Sequence, residues 1–156
     1  MLSQDVIAFL RSRPIAMLCT RDAKNRPYGH ESYLAQTEAD HVVVLVAQQF
    51  GRMLVENVND NGVAALLVSR APGDHRSVQL KGRITALEMP EVRAELFGPL
   101  FPLIDAYRMF MTEEAAQEMW SRVSQQRVYR FRFEVAQVFD QTPGPGAGRR
   151  IAGGGA

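Results

Sequence analysis

The chain carries the run HVVVLVA at residues 41–47. Its β-branched residues favour an extended backbone, and its unbroken apolar character is typical of a strand that is covered on both faces. Downstream of Gly51 the period changes, because apolar side chains recur at helical spacing until the pair Asn61-Gly62. That pair is typical of a helix end in the left-handed conformation. We therefore predict a buried strand followed by a short helix over 51–61.

Apolar or alternating runs on both sides of this unit predict further strands. They fall at residues 15–20, 28–36, 63–69, 75–87 and 128–139. A first helix is predicted between a capping Ser3 and Pro14. Short polar turns join most of the strands, and a helix does not follow each one, as a parallel sheet would require. The pattern therefore predicts a mainly β protein with some helices (α+β), whose six strands form a closed or nearly closed antiparallel barrel.

The strand over 75–87 has two distinct faces. Polar side chains alternate with apolar ones, so that Ser77, Gln79, Lys81 and Arg83 share one face and Val78, Leu80 and Ile84 the other. Gly82 interrupts the apolar face, which indicates a bulge or a close backbone approach. The polar row is either a solvated face or a row of donors for a phosphate or for the carbonyl edge of a flat heterocycle.

The chain is interpreted as a single domain over 1–140, with a helical insertion at about 90–125, followed by a Gly/Pro-rich tail over 141–156. Pro90 and Thr112 open the two helices predicted in the insertion. Its many apolar residues either cover its own barrel or join an interface. The tail is either disordered or an anion-binding turn of backbone amides.

Composition excludes several classes of protein. The chain has 156 residues, 46% of them apolar, and 18 basic side chains nearly balance 17 acidic ones. A net charge of +1 provides no electrostatic basis for binding nucleic acid. Cys19 is the single cysteine, so an internal disulfide cannot form and a reducing compartment is expected. We find no signal peptide and no membrane span, and we expect a soluble cytoplasmic protein.

No strong catalytic motif is present. The histidines His30, His41 and His75 are widely spaced and lack a neighbouring cluster of carboxylates, so we expect no metal site. One polar cluster, Gln48-Gln49-Phe50-Gly51-Arg52, lies where the best strand meets a helix. Helix N-termini attract anions, so this cluster is either an anion site or an ordinary turn with a surface arginine.

Three segments together resemble the pyridoxamine 5′-phosphate oxidase-like family of FMN-binding split barrels. They are IAMLCTRDAKNRPYGHESYLAQ at 15–36, HVVVLVAQQFGRMLVENVNDNGVAALLV at 41–68 and DHRSVQLKGRITAL at 74–87. Their order and spacing carry the resemblance, which covers about residues 5–88. It implies a six-stranded Greek-key split barrel, a homodimer, and FMN held in two grooves between the subunits.

The resemblance also implies which residues bind the cofactor. Family positions on the second strand correspond to His30 and Ser32, and those at the strand-to-helix junction to Gln48, Gln49 and Arg52. The polar position of the family's R-x-V motif corresponds to Ser77, beside Arg76, and Lys81 is expected close by. We name no catalytic residue, substrate or electron donor.

The chain departs from the family's oxidase at two basic positions. Ala35 stands where the oxidase has a lysine, and Gly51-Arg52 replaces a Ser-Arg-Lys run. We therefore do not expect a vitamin B6 oxidase. The resemblance implies an FMN-binding oxidoreductase acting on an unknown small molecule. The alternatives are a non-enzymatic flavin or heme carrier or sensor on the same fold, a deazaflavin ligand, or no cofactor.

Overall fold

The computed structural model describes residues 2–12, 15–38, 40–70, 74–88, 111–124 and 127–153. Three helices and seven strands lie in this part of the chain. In chain order they are α1 (Gln4–Arg11), β1 (Ile15–Arg21), β2 (Pro27–Thr37), β3 (His41–Ala47), α2 (Gln48–Asn61), β4 (Val63–Ser69), β5 (Ser77–Glu88), α3 (Glu113–Ser124), β6 (Val128–Asp140) and β7 (Arg150–Ala152).

Six strands form the predicted antiparallel barrel. The strand order is β3-β2-β1-β4-β5-β6, and β3 also pairs with β6, which closes the cylinder. Because β4 lies beside β1 after the meander of β1, β2 and β3, the first four strands form a Greek key. The fold class predicted from the sequence is confirmed.

The barrel is split between β2 and β3, and α2 fills the opening. Residues 27–32 of β2 pair with β1, whereas pairing with β3 begins only at Tyr33, which lies opposite Leu45. The side chains of Leu54 and Asn57 on α2 are buried. Helix α2 packs against this stretch of β2, which has no partner strand on its β3 side. The helix therefore replaces the missing part of the sheet.

Helix α2 begins at Gln48, three residues before the predicted start at Gly51. The ladder between β3 and β6 ends at the pair Ala47 and Val128. The Gln48 amide then donates to the carbonyl of Arg127 at 2.8 Å, so the chain turns directly from strand to helix. The helix ends at Gly62, whose φ of 67° is the predicted left-handed cap.

Residue 82 must be glycine because two backbones meet there. A Cβ placed on Gly82 would lie 1.9 Å from the carbonyl oxygen of Glu134 on β6. The register between β5 and β6 shifts at the same point, between Lys81 and Gly82. Both the predicted bulge and the predicted close approach are therefore present. Strand β5 begins at Ser77 rather than at the predicted His75, since His75 has a φ of 53° and belongs to the turn.

The barrel interior is apolar and is closed at one end by α1. Ser3 caps α1 as predicted, and its Oγ accepts a hydrogen bond from the Val6 amide at 3.3 Å. The largest fully buried side chains of this core include Phe9, Leu10, Leu18, Leu54, Leu66, Leu80, Phe131 and Phe133. Burial on this scale is the main stabilising contribution to the fold.

The tail is ordered over its described residues, and the interpretation of a disordered tail was wrong for them. Strand β6 continues beyond Glu134, where its pairing with β3 ends, and β7 pairs with Val138 and Phe139 along the edge left free. Ala152 packs against the core. An unpaired edge strand exposes backbone donors and acceptors, which explains why the tail folds back.

Part of the predicted insertion can be compared with the structure. Helix α3 follows Thr112, whose Oγ1 accepts a hydrogen bond from the Ala115 amide at 3.3 Å. The helix predicted to open at Pro90 lies outside the described residues. In the part of the chain that the structure describes, none of the helices has the length and apolar character needed to cross a membrane.

Candidate functional site

The first turn of α2 lacks the groups that neutralise the other helix N-termini. Asp5 lies in the first turn of α1, and Glu113 and Glu114 lie in that of α3, whereas α2 has no acidic residue there. The residue before α2, Ala47, makes no side-chain capping bond. The Gln48 amide donates to Arg127, so the amides of Gln49 and Phe50 and the positive end of the helix dipole are the groups available to an anion.

Arg52 lies within this turn and is weakly engaged. Its Nε is 3.8 Å from the Glu56 carboxylate, and its side chain is 83% exposed. An exposed ion pair at that separation contributes little free energy. A ligand can therefore bind the guanidinium with little loss of stability from breaking the ion pair. Gln49 is also exposed, and Gln48 is half-buried.

An aromatic pair forms one wall of the same site. The ring of His30 on β2 stacks on Phe50 of α2, with centroids 4.3 Å apart and planes inclined by 14°. The Tyr28 hydroxyl donates to the Phe50 carbonyl at 3.2 Å, which anchors the helix turn to β2. Phe50 was missed as a site residue, although it stands between Gln49 and Arg52, and it is 43% exposed.

The stack and one hydrogen bond hold the His30 ring in place. Its Nδ1 lies 3.0 Å from the Glu31 carbonyl oxygen, which can only accept. We therefore assign the proton to Nδ1, which leaves Nε2 as an acceptor in the neutral ring.

Ser32 is buried beneath this wall with its hydroxyl unpaired. It is 2% exposed and shares a face of β2 with His30. Its Oγ finds no hydrogen-bond partner within the described residues. A buried polar group without a partner is uncommon, and this one lies next to Tyr33, where the pairing of β2 with β3 begins.

The three remaining predicted residues lie on or beside β5, away from this site. Strands β1 and β4 stand between β2 and β5 along one side of the cylinder, and β3 and β6 stand between them along the other. Lys81 also projects from the outer face of the barrel, whereas Ser32 faces inward. The structure thus brings His30, Ser32, Gln48, Gln49 and Arg52 to one region and leaves Arg76, Ser77 and Lys81 in another.

Arg76 holds α1 in place. Its guanidinium donates to both carboxylate oxygens of Asp5 and lies 4.7 Å above the ring of Phe9. The hydrogen bond from Arg76 lowers the pKa of Asp5 below its ordinary value. Both the charge and the hydrogen bonds of Arg76 are therefore occupied within this chain.

Ser77 and Lys81 also have contacts within the chain. The Ser77 hydroxyl donates to the Ser69 hydroxyl at 2.8 Å. The Lys81 ammonium lies 4.6 Å from the centre of the Phe139 ring, a cation–π contact. Lys81 borders an open groove of about 450 Å³ on the outer face of the sheet. Among the residues that the structure describes, no group of acidic, histidine or cysteine side chains is arranged to hold a metal ion.

A family model described as pyridoxamine 5′-phosphate oxidase matches residues 2–138. The chain belongs to this family. The match covers α1 and nearly all of the six-stranded barrel, which includes both groups of predicted site residues. A search of curated proteins found no match.

Solved structures share the fold of this family member at low sequence identity. An F420 reductase superposes with a TM-score of 0.57 at 15% identity, covering 88% of this chain and 98% of that one. HupZ from Group A Streptococcus superposes with a TM-score of 0.55 at 14% identity, covering 95% of this chain and 100% of that one. An FAD-binding protein from Mesorhizobium loti superposes with a TM-score of 0.50 at 17% identity, covering 88% of this chain and 92% of that one.

Within the family, the departures noted in the sequence leave a single cation at the α2 turn. Gly51 is packed against the Tyr129 ring, and a Cβ there would lie 2.2 Å from a ring carbon. Packing against Tyr129 thus requires glycine at position 51. Arg52 alone supplies positive charge in that turn.

Proposed function

We propose that this protein is a flavin-dependent oxidoreductase that binds FMN at the first turn of α2 and acts on a small molecule. One observation carries the assignment. A single helix turn offers uncapped backbone N–H groups, an exposed guanidinium and an aromatic pair, with no carboxylate in the turn to oppose an anion. Two structural neighbours, an F420 reductase and an FAD-binding protein, are consistent with it.

The residues of this turn suit the parts of FMN. Arg52 and the amides of Gln49 and Phe50 would hold the phosphate. The His30–Phe50 pair would contact the ring system, and the Gln48 carboxamide would bind its polar edge. The Ser32 hydroxyl has no partner among the residues that the structure describes, and a ligand group or a water that reaches it would satisfy it.

A bound flavin supplies hydride and electron transfer, and the chain's own residues bind and orient it. Helix α2 is anchored to β2 through Tyr28, so the phosphate-binding turn has a fixed position relative to the barrel. The stacked His30 ring presents Nε2 as a hydrogen-bond acceptor at the same site.

We also propose a homodimer formed through the outer face of the sheet. Met17 and Leu67 lie opposite each other on β1 and β4, and they are 44% and 36% exposed. Burial of such a pair against a second copy would be favourable. Because Ser77 and Lys81 project from the same outer face, a dimer could bring them near the α2 turn of the other subunit. The single Cys19 favours a reducing location such as the cytoplasm.

The test is FMN binding by the purified full chain, measured by flavin fluorescence and the visible spectrum. Arg52→Gln should weaken FMN binding by about tenfold or more, as expected for loss of a charge-assisted hydrogen bond. Arg122→Gln is the matched control, since Arg122 is also an exposed helix arginine paired with a glutamate four residues away. Absence of FMN binding by the unmodified protein, or equal loss in both variants, would refute the assignment.

A non-enzymatic flavin or heme carrier is the second candidate. No histidine–carboxylate pair occurs at the α2 turn within the described residues; the one such pair described, His41 with Asp40, lies at the start of β3. If the flavin-loaded protein oxidises a nicotinamide donor faster than free flavin does, the carrier function is excluded. A heme spectrum in the purified protein would favour it.

A further inference from the structure

A cavity of about 570 Å³ lies at the end of the barrel that α1 closes. Three segments that are distant in the chain meet around it: the first turn of α1, residues 74–78 at the start of β5, and the end of β6 with the tail. Its volume lies within the range of small-molecule sites. None of its lining residues belongs to the α2 turn, so a ligand in this cavity is separate from the proposed flavin.

The cavity does not lie on the face proposed for the dimer. Val78 of β5 and Asp140 of β6 are paired in register, and Val78 points into the barrel. Residues directly opposite each other in a sheet point to the same side, so Asp140 is on the inner side as well. Ser77 precedes Val78 and projects from the outer face instead. The cavity therefore opens at the mouth of the barrel beside α1.

Some of the charged groups around the cavity are neutralised within the chain. Arg76 donates to Asp5, and the Asp74 carboxylate lies 3.4 Å from Arg70 and accepts from the Arg76 amide at 3.2 Å. The first turn of α1 is already capped by Ser3. These contacts stabilise the walls of the cavity, so we do not assign these groups to a ligand.

Asp140 and Arg149 also line the cavity, and they form no ion pair with each other. The Arg149 guanidinium makes no hydrogen bond or ion pair within the described part of the chain. Hydrogen bonds from Thr142 are the main cause that lowers the pKa of Asp140, and the nearby charge of Arg149 lowers it further. An ionised carboxylate and a free guanidinium thus face one cavity without neutralising each other.

The backbone of the tail fixes the positions of these two groups. The Gly148 amide donates to the Asp140 carbonyl at 2.7 Å, and the Asp140 amide donates to the Arg149 carbonyl at 2.8 Å. The amides of Ala147 and Arg149 donate to other carbonyls of the same turn. These three amides of the predicted anion-binding turn are therefore engaged, and the positive charge that the tail offers to the cavity is the Arg149 side chain.

The cavity also has an apolar wall. Val6 of α1 and Val78 of β5 are buried there, and Ile151 of β7 lines the cavity while remaining 41% exposed. Covering an exposed aliphatic side chain is favourable in proportion to the apolar area removed from water. A ligand for this cavity therefore combines both signs of charge with an apolar part.

We propose that this cavity binds a free α-amino acid with an apolar side chain. The ammonium group donates to the Asp140 carboxylate, the carboxylate accepts hydrogen bonds from the Arg149 guanidinium, and the side chain covers Ile151. Charge complementarity selects the zwitterion, because an amine or a carboxylate alone leaves one of the two protein charges unmatched.

The test is isothermal titration calorimetry of the purified full-length protein with L-leucine and two analogues that each lack one charge. 4-Methylpentanoate lacks the ammonium group, and 3-methylbutylamine lacks the carboxylate. Leucine should bind at least about tenfold more tightly than either analogue, as expected for one additional charge-assisted hydrogen bond.

Two variants assign the two ends of the ligand. Asp140→Asn should weaken leucine binding by about tenfold without weakening 4-methylpentanoate, and Arg149→Gln should weaken leucine by a similar factor without weakening 3-methylbutylamine. Arg150→Gln is the matched control for the arginine, since Arg150 is also exposed and does not line the cavity. Asp60→Asn on α2 is the control for the carboxylate, and both controls should bind leucine unchanged.

Equal binding of leucine and its two analogues, or equal losses in Arg149→Gln and Arg150→Gln, would overturn the proposal. So would the absence of binding by leucine, valine and phenylalanine at about 10 mM. Competition between FMN and leucine would also overturn it, because flavin would then occupy the cavity. The FMN titration of Arg52→Gln is a separate measurement, so failure of one site leaves the other testable.

Discussion

Asn57 of α2 donates its side-chain amide to the hydroxyl of Thr20 on β1 at 3.0 Å, and both side chains are buried. The bond joins the helix that fills the split to the first strand of the barrel. Nearby, the Asn61 side chain donates to the Arg21 carbonyl at 2.7 Å, so the C-terminal half of α2 is fastened to β1 at two points. The position of the α2 turn therefore depends on polar contacts at its far end.

Thr20→Val should lower the free energy of unfolding by about 1–3 kcal/mol, because it leaves the buried Asn57 amide without an acceptor at unchanged side-chain volume. Urea denaturation measures the change. Thr85→Val, at an exposed position on β5, is the control and should shift stability by less than about 0.5 kcal/mol. Equal stability of the two variants would show that the Asn57 bond carries no net energy.

Gly51→Ala tests the packing of the first turn of α2. Helix propensity alone would stabilise the variant by about 1 kcal/mol. The new Cβ would lie 2.2 Å from the Tyr129 ring, however, and overpacking of this kind costs about 1–3 kcal/mol. We expect net destabilisation in urea and weaker FMN binding. In a Tyr129→Ala background the same substitution should become stabilising, and a gain in the unmodified protein would contradict the packing assignment.

Thr142→Val tests the connection between the tail and β5. The Thr142 hydroxyl accepts from the Ser77 amide at 3.1 Å and donates to the Ser77 carbonyl at 3.3 Å. Loss of both bonds should reduce stability by about 1 kcal/mol. Hydrogen exchange at the Ser77 amide should accelerate, while amides in the centre of β4 should keep their protection. Unchanged exchange at Ser77 would mean that the tail does not hold this strand end.

Stability should decrease in acid, in part through Asp140. The Thr142 amide donates to its carboxylate at 2.9 Å, and this bond is the main cause that lowers the pKa of Asp140 below its ordinary value of 3.8. A carboxyl whose pKa is lower in the folded state stabilises the fold above its unfolded pKa, and that contribution is lost as pH falls through the folded value. The stability difference between the unmodified protein and Asp140→Asn should therefore shrink between about pH 6 and about pH 3.

Chemical denaturation at a series of pH values measures this difference. Asp60→Asn, at an exposed position on α2, serves as the control. A difference for Asp140→Asn that stays constant over the range would contradict the assignment. The Asp140→Asn variant should still lose stability in acid, because the Arg76 contact lowers the pKa of Asp5 as well.

Local pattern predicted the strands well where side chains alternate or form β-branched runs. The bounds of β3 and β4 agree with the predictions, and the two faces of β5 are those expected from its alternation. The start of α2 and the fate of the tail were misjudged. Both depend on β6 and the residue before it. The carbonyl of Arg127, which precedes β6, accepts a hydrogen bond from the Gln48 amide, and the free edge of β6 beyond Glu134 pairs with β7.

The candidate site could be predicted only in part. Arg52 and the two glutamines follow one another at a strand-to-helix junction, so the sequence alone placed them at a helix N-terminus. His30 was assigned to the same site only through the family resemblance. In the structure its ring stacks on Phe50 of the α2 turn, which places it there. Arg76 was expected to bind a cofactor, yet its charge is taken up by Asp5, a partner distant in the chain that no local pattern indicates.

The amino-acid sequence by itself determined which segments form strands, which form helices, and that Gly62 ends α2, because these follow from interactions between near neighbours in the chain. Only the tertiary structure decided that β1 and β4 separate the residues of β2 from those of β5, and that α2 occupies the split. The order of strands in a sheet depends on pairing between distant segments, and the faces that such pairing brings together cannot be inferred from the periodicity of each segment alone.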